Sequence, residues 1–127
     1  MADQEKKNIF AMTDRSNEFD SEDINKNRVF GIFAYIGWLV LIPIFAAKNS
    51  KWARFHANQG LVLAILSTAS IIVFYLLSLI PYIGWLFSVL DWIVSIGFTA
   101  LMVIGIITAA TGKAKELPLI GKIKILK

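Results

Sequence analysis

The amino-acid sequence predicts an all-α polytopic integral membrane protein with three transmembrane helices, and an arrangement with four remains open. The chain has 127 residues, of which 57% are apolar and 17% are charged, whereas soluble domains contain about 45–50% apolar and about 25% charged residues. Residues 55–112 contain one acidic residue, Asp91, and no base. A soluble domain of this size could not bury so much apolar surface in its own core.

The N-terminal residues 1–28 are predicted to form a flexible, polar and acidic tail. They contain seven acidic and five basic residues, and they have too few apolar residues to fold alone. Residues 29–47 follow without any charge. A helix of that length measures about 28 Å, close to the roughly 30 Å of the hydrocarbon core, so a first span is predicted here.

Residues 55–112 are too long for one span, because a single helix would extend for about 87 Å. Pro81 and Gly84 interrupt the apolar run. This interruption predicts a turn, with one span at about 59–80 and another at about 86–111.

The predicted transmembrane domain therefore covers residues 29–112, with Gly112 expected to end the last helix as a C-terminal cap. A fourth segment would require dividing residues 82–111 in two, as a short interfacial helix at 83–91 followed by one span. Four spans would allow an N-terminus on the inside. Residues 113–127 form a basic amphipathic tail, in which five lysines alternate with leucine and isoleucine. Such a segment is expected to lie on anionic lipid head groups. Nucleic acid is not a predicted partner, because the tail has no aromatic side chain to stack on bases.

The distribution of lysine and arginine predicts the orientation. The 48–54 loop carries three bases and the C-terminal tail carries five, whereas the 79–84 turn carries none. The positive-inside rule places the loop and the C-terminus in the cytoplasm, and three spans then place the N-terminus outside. The predicted location is the cell membrane, plasma or inner, as a multi-pass protein.

Small residues recur at helical spacing along two of the predicted spans. Such residues let helix backbones approach closely, either within one chain or between copies of a homo-oligomer. They are Gly60, Ala64 and Thr68 in the second span and Gly97, Gly105 and Ala109 in the third.

Four polar side chains cluster where the second span begins, namely Arg54, His56, Asn58 and Gln59. Two interpretations remain open. The four residues could form a polar cap that satisfies backbone groups of the loop and binds lipid phosphate through Arg54, or they could form a contact site for a partner protein or a polar vestibule, where Arg54 could bind phosphate or carboxylate. Asp91 is an intramembrane acid and is therefore a functional candidate. A proton relay between His56 and Asp91 would need proximity, and the predicted topology instead favours separate structural roles at opposite ends.

Catalytic chemistry has no support in the sequence. There is no cysteine and a single histidine, and no nucleophile–base pair, phosphate-binding loop or metal-ligand spacing occurs. Neither an enzymatic activity nor a metal or cofactor is predicted. The predicted function is that of a non-enzymatic accessory or structural subunit of a membrane assembly, with other membrane proteins or the chain itself as partners.

Several short sequence motifs point to a family. They are FAY at 33–35 with Pro43, KWARFHANQG at 51–60 and AKELPLIG at 114–121. Together they resemble a family of small bacterial and archaeal membrane proteins that is similar to the membrane core of the chloroplast inner-envelope protein-import component of the Tic translocon. The resemblance covers about residues 29–125. It implies a helical membrane subunit, and it supports the alternative function of a homo-oligomeric transport or protein-translocation channel component.

Overall fold

The computed structural model describes residues 14–118, 120, 123 and 125. Within these residues the chain forms four α-helices and two short 3-10 turns, with no strand, so the predicted all-α class is confirmed. The helices are α1 (Ser21–Phe33), α2 (Leu41–Ala46), α3 (Lys51–Ser78) and α4 (Gly84–Ala110).

Helices α3 and α4 form a long apolar hairpin. Both are long and apolar enough to cross a membrane, and they correspond to the predicted second and third spans, although α3 begins earlier than expected. Residues 79–83 connect them through a tight turn in which Tyr82 adopts a positive φ of 71°. Gly84 is required after this turn, because a Cβ atom there would lie 2.0 Å from the carbonyl oxygen of Ser78.

The end of α4 has the predicted glycine cap. Gly112 adopts a φ of 73°, and its N–H donates to the carbonyl oxygen of Ala109 at 3.0 Å. The N–H of Lys113 donates to the carbonyl oxygen of Thr108 at 3.1 Å. This pair of bonds is a Schellman motif, which stops the helix and turns the following residues back toward α3.

The predicted first span at 29–47 is wrong. The described residues contain two helices that are long and apolar enough to span a membrane, not three or four. The apolar run is broken into the end of α1, a 3-10 turn at Gly37–Val40 and the six-residue α2. Gly37 has a φ of 53°, which stops a continuous helix, and Pro43 lies in the first turn of α2, where proline is tolerated. The ten residues Gly37–Ala46 would measure only about 15 Å as a helix.

The broken segment packs back against α3. Gly60 lies against the carbonyl group of Ala34, so closely that a Cβ atom would be 1.7 Å from the oxygen. Further along α3, the indole N–H of Trp38 donates to the hydroxyl of Thr68 at 3.1 Å. The α1–α2 pair therefore enters alongside α3 as a helical hairpin and returns to the loop that precedes Lys51.

Residues 14–28, which are the described part of the predicted flexible tail, pack against the rest of the protein. Ser21 begins α1 with Asp20 as its N-cap, and the N–H of Arg15 donates to the carbonyl oxygen of Ala114 at 2.7 Å. The N-terminal and C-terminal segments thus lie at the same end of the hairpin, not at opposite ends as predicted. Residues 1–13 lie outside the described residues.

The distribution of apolar and polar side chains is the reverse of that in a soluble protein. Large apolar side chains along α3 and α4 are exposed, including Ile72, Trp92 and Ile96. Polar side chains are instead buried at the end that holds both terminal segments, where the core also lies. The buried polar residues are Ser50, His56, Asn58, Gln59, Thr108 and Glu116.

We expect Gly60→Ala to lower the free energy of unfolding by about 2 kcal/mol or more, because overpacking forces backbone to move. Gly97→Ala is the matched control, since a Cβ atom at Gly97 meets nothing within 4 Å. Thermal unfolding of both variants in detergent, followed by circular dichroism, measures the difference. Equal stability of the two variants would contradict the packing of Ala34 against α3.

Candidate functional site

A buried polar cluster lies at the start of α3 and consists of Tyr35, Trp52, His56, Asn58 and Gln59, all of which are buried. Trp52, His56 and Gln59 are spaced by four and three residues, which places them on one face of the helix. We refer to these five residues as the polar cluster.

The first turn of α3 is fixed by two caps. The Ser50 hydroxyl accepts a hydrogen bond from the N–H of Ala53 at 3.0 Å, and the Asp23 carboxylate accepts one from the N–H of Trp52 at 3.1 Å. Both satisfy helix N–H groups that would otherwise have no partner. Because Asp23 belongs to α1, this cap also joins the two helices at the level of the polar cluster.

A directed hydrogen-bond chain runs through the cluster. The Nε2 atom of His56 lies 2.7 Å from the carbonyl oxygen of Lys113, which can only accept, so Nε2 carries the proton. In the neutral imidazole the other ring nitrogen, Nδ1, then accepts from the Tyr35 hydroxyl at 2.6 Å. The Tyr35 oxygen in turn accepts from the amide of Gln59 at 2.6 Å. Every donor in this hydrogen-bond chain has an acceptor when His56 is neutral.

The hydrogen-bond chain ends on backbone groups of the protein at both of its ends. Gln59 Oε1 accepts from the N–H of Leu117 at 2.5 Å, and its Nε2 also donates to the carbonyl oxygen of Lys115 at 3.2 Å. At the other end, the Lys113 carbonyl oxygen accepts from both His56 and the Trp52 indole, the latter at 3.1 Å. A carbonyl oxygen cannot pass a proton onward, so this arrangement holds the backbone in place and does not form a relay.

Aromatic rings enclose the His56 imidazole. The ring centroids of Trp52, Phe55 and Tyr35 lie 4.7, 5.3 and 5.4 Å away, each in an edge-to-face arrangement. Burial among three rings and two short hydrogen bonds leaves the imidazole inaccessible to a substrate. This geometry supports a structural role for the His56 imidazole.

The terminal segments are joined to each other beside the cluster. The Arg15 guanidinium pairs with the buried Glu116 carboxylate, and this hydrogen bond raises the pKa of Arg15. Ser16 accepts from the N–H of Ala114 at 2.9 Å and donates to Asp14, which lowers the pKa of the Asp14 carboxyl. The first part of the C-terminal segment, which was predicted to lie on lipid, is therefore packed against the rest of the protein.

Of the four residues predicted as a polar site, His56 and Gln59 share one hydrogen-bond chain through Tyr35. Asn58 instead bonds to the backbone of Ile123 and Ile125. Arg54 is half-buried, and its predicted role as a ligand of phosphate or carboxylate stays a prediction. The partner that the structure provides is the chain's own C-terminal segment. Sequence reasoning missed Tyr35 and Trp52, although the spacing of Trp52, His56 and Gln59 indicates a shared face.

The predicted packing residues divide into two groups. Gly105 lies against the ring of Tyr35, and Ala109 is buried beside Gly31, so both pack within the chain. Gly60 and Ala64 are likewise buried, and Thr68 accepts from Trp38. Gly97 faces open space, and a packing role for it against another molecule stays a prediction.

Asp91 lies two turns into α4, at the end of the hairpin opposite to the polar cluster. Its Oδ1 atom is buried and has no hydrogen-bond partner among the described residues. Along the helix axis Asp91 and His56 are separated by more than about 20 Å, which excludes a direct proton transfer between them. No group of three or more potential metal ligands occurs in the described part of the chain.

The fold and the cluster define an all-helical protein with an apolar two-helix hairpin and an internally satisfied polar end, a class that suits insertion into a membrane. Residues 27–126 match the model of the magnetosome magnetite crystal formation protein family, MamF/MmsF. The chain belongs to this family.

Two relatives support the assignment. The magnetosome protein MamF of Magnetospirillum gryphiswaldense is 33% identical over 94 residues, which is 73% of this chain and 78% of the relative. The magnetosome protein MamF of Paramagnetospirillum magneticum is 34% identical over 89 residues, which is 69% of this chain and 73% of the relative. No solved structure matches the chain.

These findings overturn the resemblance to the Tic translocon component. The family match covers the whole stretch on which that resemblance was based, including the motif at 51–60, and it identifies a different family. A Tic-like protein-translocation channel is therefore not supported.

We expect Tyr35→Phe to lower the free energy of unfolding by about 1–3 kcal/mol, because His56 Nδ1 and one Gln59 N–H would stay buried without partners. Tyr75→Phe is the matched control, since the Tyr75 side chain is 63% exposed and should tolerate the change. Thermal unfolding in detergent checks both variants. If Tyr35→Phe unfolds at the same temperature as the unaltered chain, the hydrogen-bond chain does not stabilise the fold.

Proposed function

We propose that this chain is a non-enzymatic integral membrane protein that acts in magnetite crystal formation at the magnetosome membrane. The observation that carries the membrane part is the inverted distribution of side chains, with apolar residues exposed along α3 and α4 and polar residues buried at one end. In water this surface would be an aggregation hazard, whereas in a bilayer it is solvated by lipid. The family description and the names of the two relatives support the magnetosome part.

The orientation follows from the bases. The described lysines and arginines all lie at the end where α3 begins and α4 ends, and the 79–83 turn has none. The positive-inside rule then favours a cytoplasmic location for this end. In this topology both terminal segments are cytoplasmic and the turn faces the opposite compartment, which for a magnetosome is the vesicle interior.

The α1–α2 pair acts as a re-entrant hairpin in this arrangement. Apolar segments too short to span a membrane are often re-entrant or interfacial, and irregular backbone at membrane depth is tolerated where protein covers it. Ala34 and Tyr35, where the α1 helix ends, are fully buried. The Trp38–Thr68 hydrogen bond supports a depth several turns below the start of α3.

The structural role is that of a subunit in a membrane assembly. Polar groups of the cluster are used in internal bonds, which favours a structural role over a catalytic one. The open face around Gly97 can take a neighbouring helix, and the bases at the cytoplasmic end suit anionic lipid head groups. Both contacts are part of the proposal.

When the chain is expressed in the plasma membrane of a host that has no magnetosomes, the topology predicts the reactivity of single cysteines toward an impermeant thiol reagent in intact cells. Cysteines at Asn17 and Asn49 should be protected, and a cysteine at Tyr82 should be labelled, because Tyr82 is 95% exposed in the connecting turn. Lysed cells provide the control, since all three positions should then react. Labelling of Asn17→Cys in intact cells together with protection of Tyr82→Cys would invert the orientation.

The magnetosome role predicts where the full chain is found. An N-terminal fluorescent fusion, expressed in Magnetospirillum gryphiswaldense that lacks its own MamF, should be recovered with magnetically purified magnetosomes and should change the size distribution of the crystals in electron micrographs. Tyr75→Phe, a change on a side chain that is 63% exposed, serves as the folded control variant. Recovery of the fusion only in other membranes, or crystals that are unaffected by it, would refute this role.

A further inference from the structure

An open cavity lies between α1 and the loop that leads from α2 into α3, at the end of the hairpin where α3 begins. Its volume is about 460 Å³, which is within the roughly 300–1,000 Å³ that is typical of small-molecule sites. The cavity combines one apolar edge with polar and charged side chains. It is lined from α1 by Asp23, Lys26 and Asn27 and from the opposite side by Phe45, Lys48 and Asn49.

Two lysines from distant parts of the sequence line this cavity. Lys26 belongs to α1, and Lys48 belongs to the loop after α2. Neither of them forms an ion pair with another described residue. Two positive charges that line one cavity repel each other, and an anion bound between them offsets this repulsion. The two lysines therefore favour an anionic ligand.

The acid that lines the cavity, Asp23, uses both of its carboxylate oxygens in bonds within the protein. Oδ1 accepts from the side-chain amide of Asn27 at 2.9 Å, and Oδ2 accepts from the N–H of Trp52 at 3.1 Å. Asp23 is thus held at the start of α3, and the two lysines keep their charges for a ligand. One acid and two bases give the cavity a formal charge of +1, which complements the single negative charge of a phosphodiester.

The apolar edge of the cavity distinguishes a lipid from a soluble anion. Phe45 is 67% exposed, and Leu41 and Ile42 on the same short helix are exposed as well. Their spacing places all three on one face of α2, which runs from the cavity toward the depth of the apolar hairpin. A soluble anion would leave this face uncovered, whereas the acyl chains of a lipid would cover it.

We propose that this cavity binds the headgroup of one anionic phospholipid. The phosphodiester lies between the ammonium groups of Lys26 and Lys48, the side-chain amide of Asn49 donates to a phosphate oxygen, and the acyl chains lie along Phe45. The proposal rests on the proposed insertion of the hairpin into a membrane, and it assigns the lipid contact to a defined site. The bound lipid links α1 to the loop before α3 and so holds the α1–α2 pair at the membrane surface.

Native mass spectrometry of the full chain in a non-ionic detergent, with increasing amounts of phosphatidylglycerol, tests the site. We expect saturation at one bound lipid per chain, and binding about fivefold weaker in Lys26→Gln and in Lys48→Gln, since each loses one attraction to the phosphate. Lys113→Gln is the matched control, because it removes an exposed charge at the same end but outside the cavity, and it should bind within about twofold. Equal weakening in all three variants would overturn the proposal in favour of a diffuse attraction to the basic end.

Changes in the ligand keep the test independent of protein folding. Phosphatidylethanolamine, whose ammonium group cancels the charge of its phosphate, should bind the unaltered chain about fivefold more weakly than phosphatidylglycerol. Millimolar glycerophosphoglycerol, which is the same headgroup without acyl chains, should not displace the lipid. Lys48→Arg keeps the charge and should bind phosphatidylglycerol within about twofold of the unaltered chain. Displacement by the soluble headgroup, equal binding of the two lipids or no saturable binding would overturn the proposal without bearing on the magnetosome location.

Discussion

The burial of the Tyr35–His56–Gln59 hydrogen-bond chain is the constraint on which the rest of the structure depends. All three residues are almost completely buried, and a buried polar group without a partner costs about 1–3 kcal/mol. Their partners outside the hydrogen-bond chain are backbone groups of Lys113, Lys115 and Leu117. The start of α3, the end of α1 and the segment after α4 must therefore be in place together.

This requirement makes the two ends of the hairpin physically different. At the polar end, contacts distant in sequence join α1, α3, both terminal segments and the Schellman turn after α4, so the end behaves as one cooperative unit. At the opposite end, within the described residues, α3 and α4 contact each other and the short turn between them, and their outer apolar side chains are exposed. The polar end is completed by the chain itself, whereas the apolar end has the length and the surface that suit a bilayer.

The sequence was informative where a local signal determines the outcome. Hydropathy and the break at Pro81 and Gly84 predicted two of the helices, and Gly112 predicted the cap. The first span failed because a charge-free stretch of 19 residues at 29–47 has enough length to cross, and composition does not reveal that Gly37 adopts a positive φ. The polar motif was found, but its partner was not, because backbone groups of a distant segment leave no pattern in a sequence.

The same physics explains why the motif at 51–60 was misleading about function. Trp52, His56, Asn58 and Gln59 are used to hold the chain's own C-terminal segment, and Gly60 allows α1 to approach α3. Residues with such roles report how a chain folds, and a fold can serve unrelated functions. A resemblance based on them therefore indicates a shared helical architecture, whereas the assignment to the magnetosome family depends on a match along residues 27–126. Function in this chain has to be sought in the surfaces that the polar cluster leaves available, namely the apolar face around Gly97 and the basic end of the hairpin.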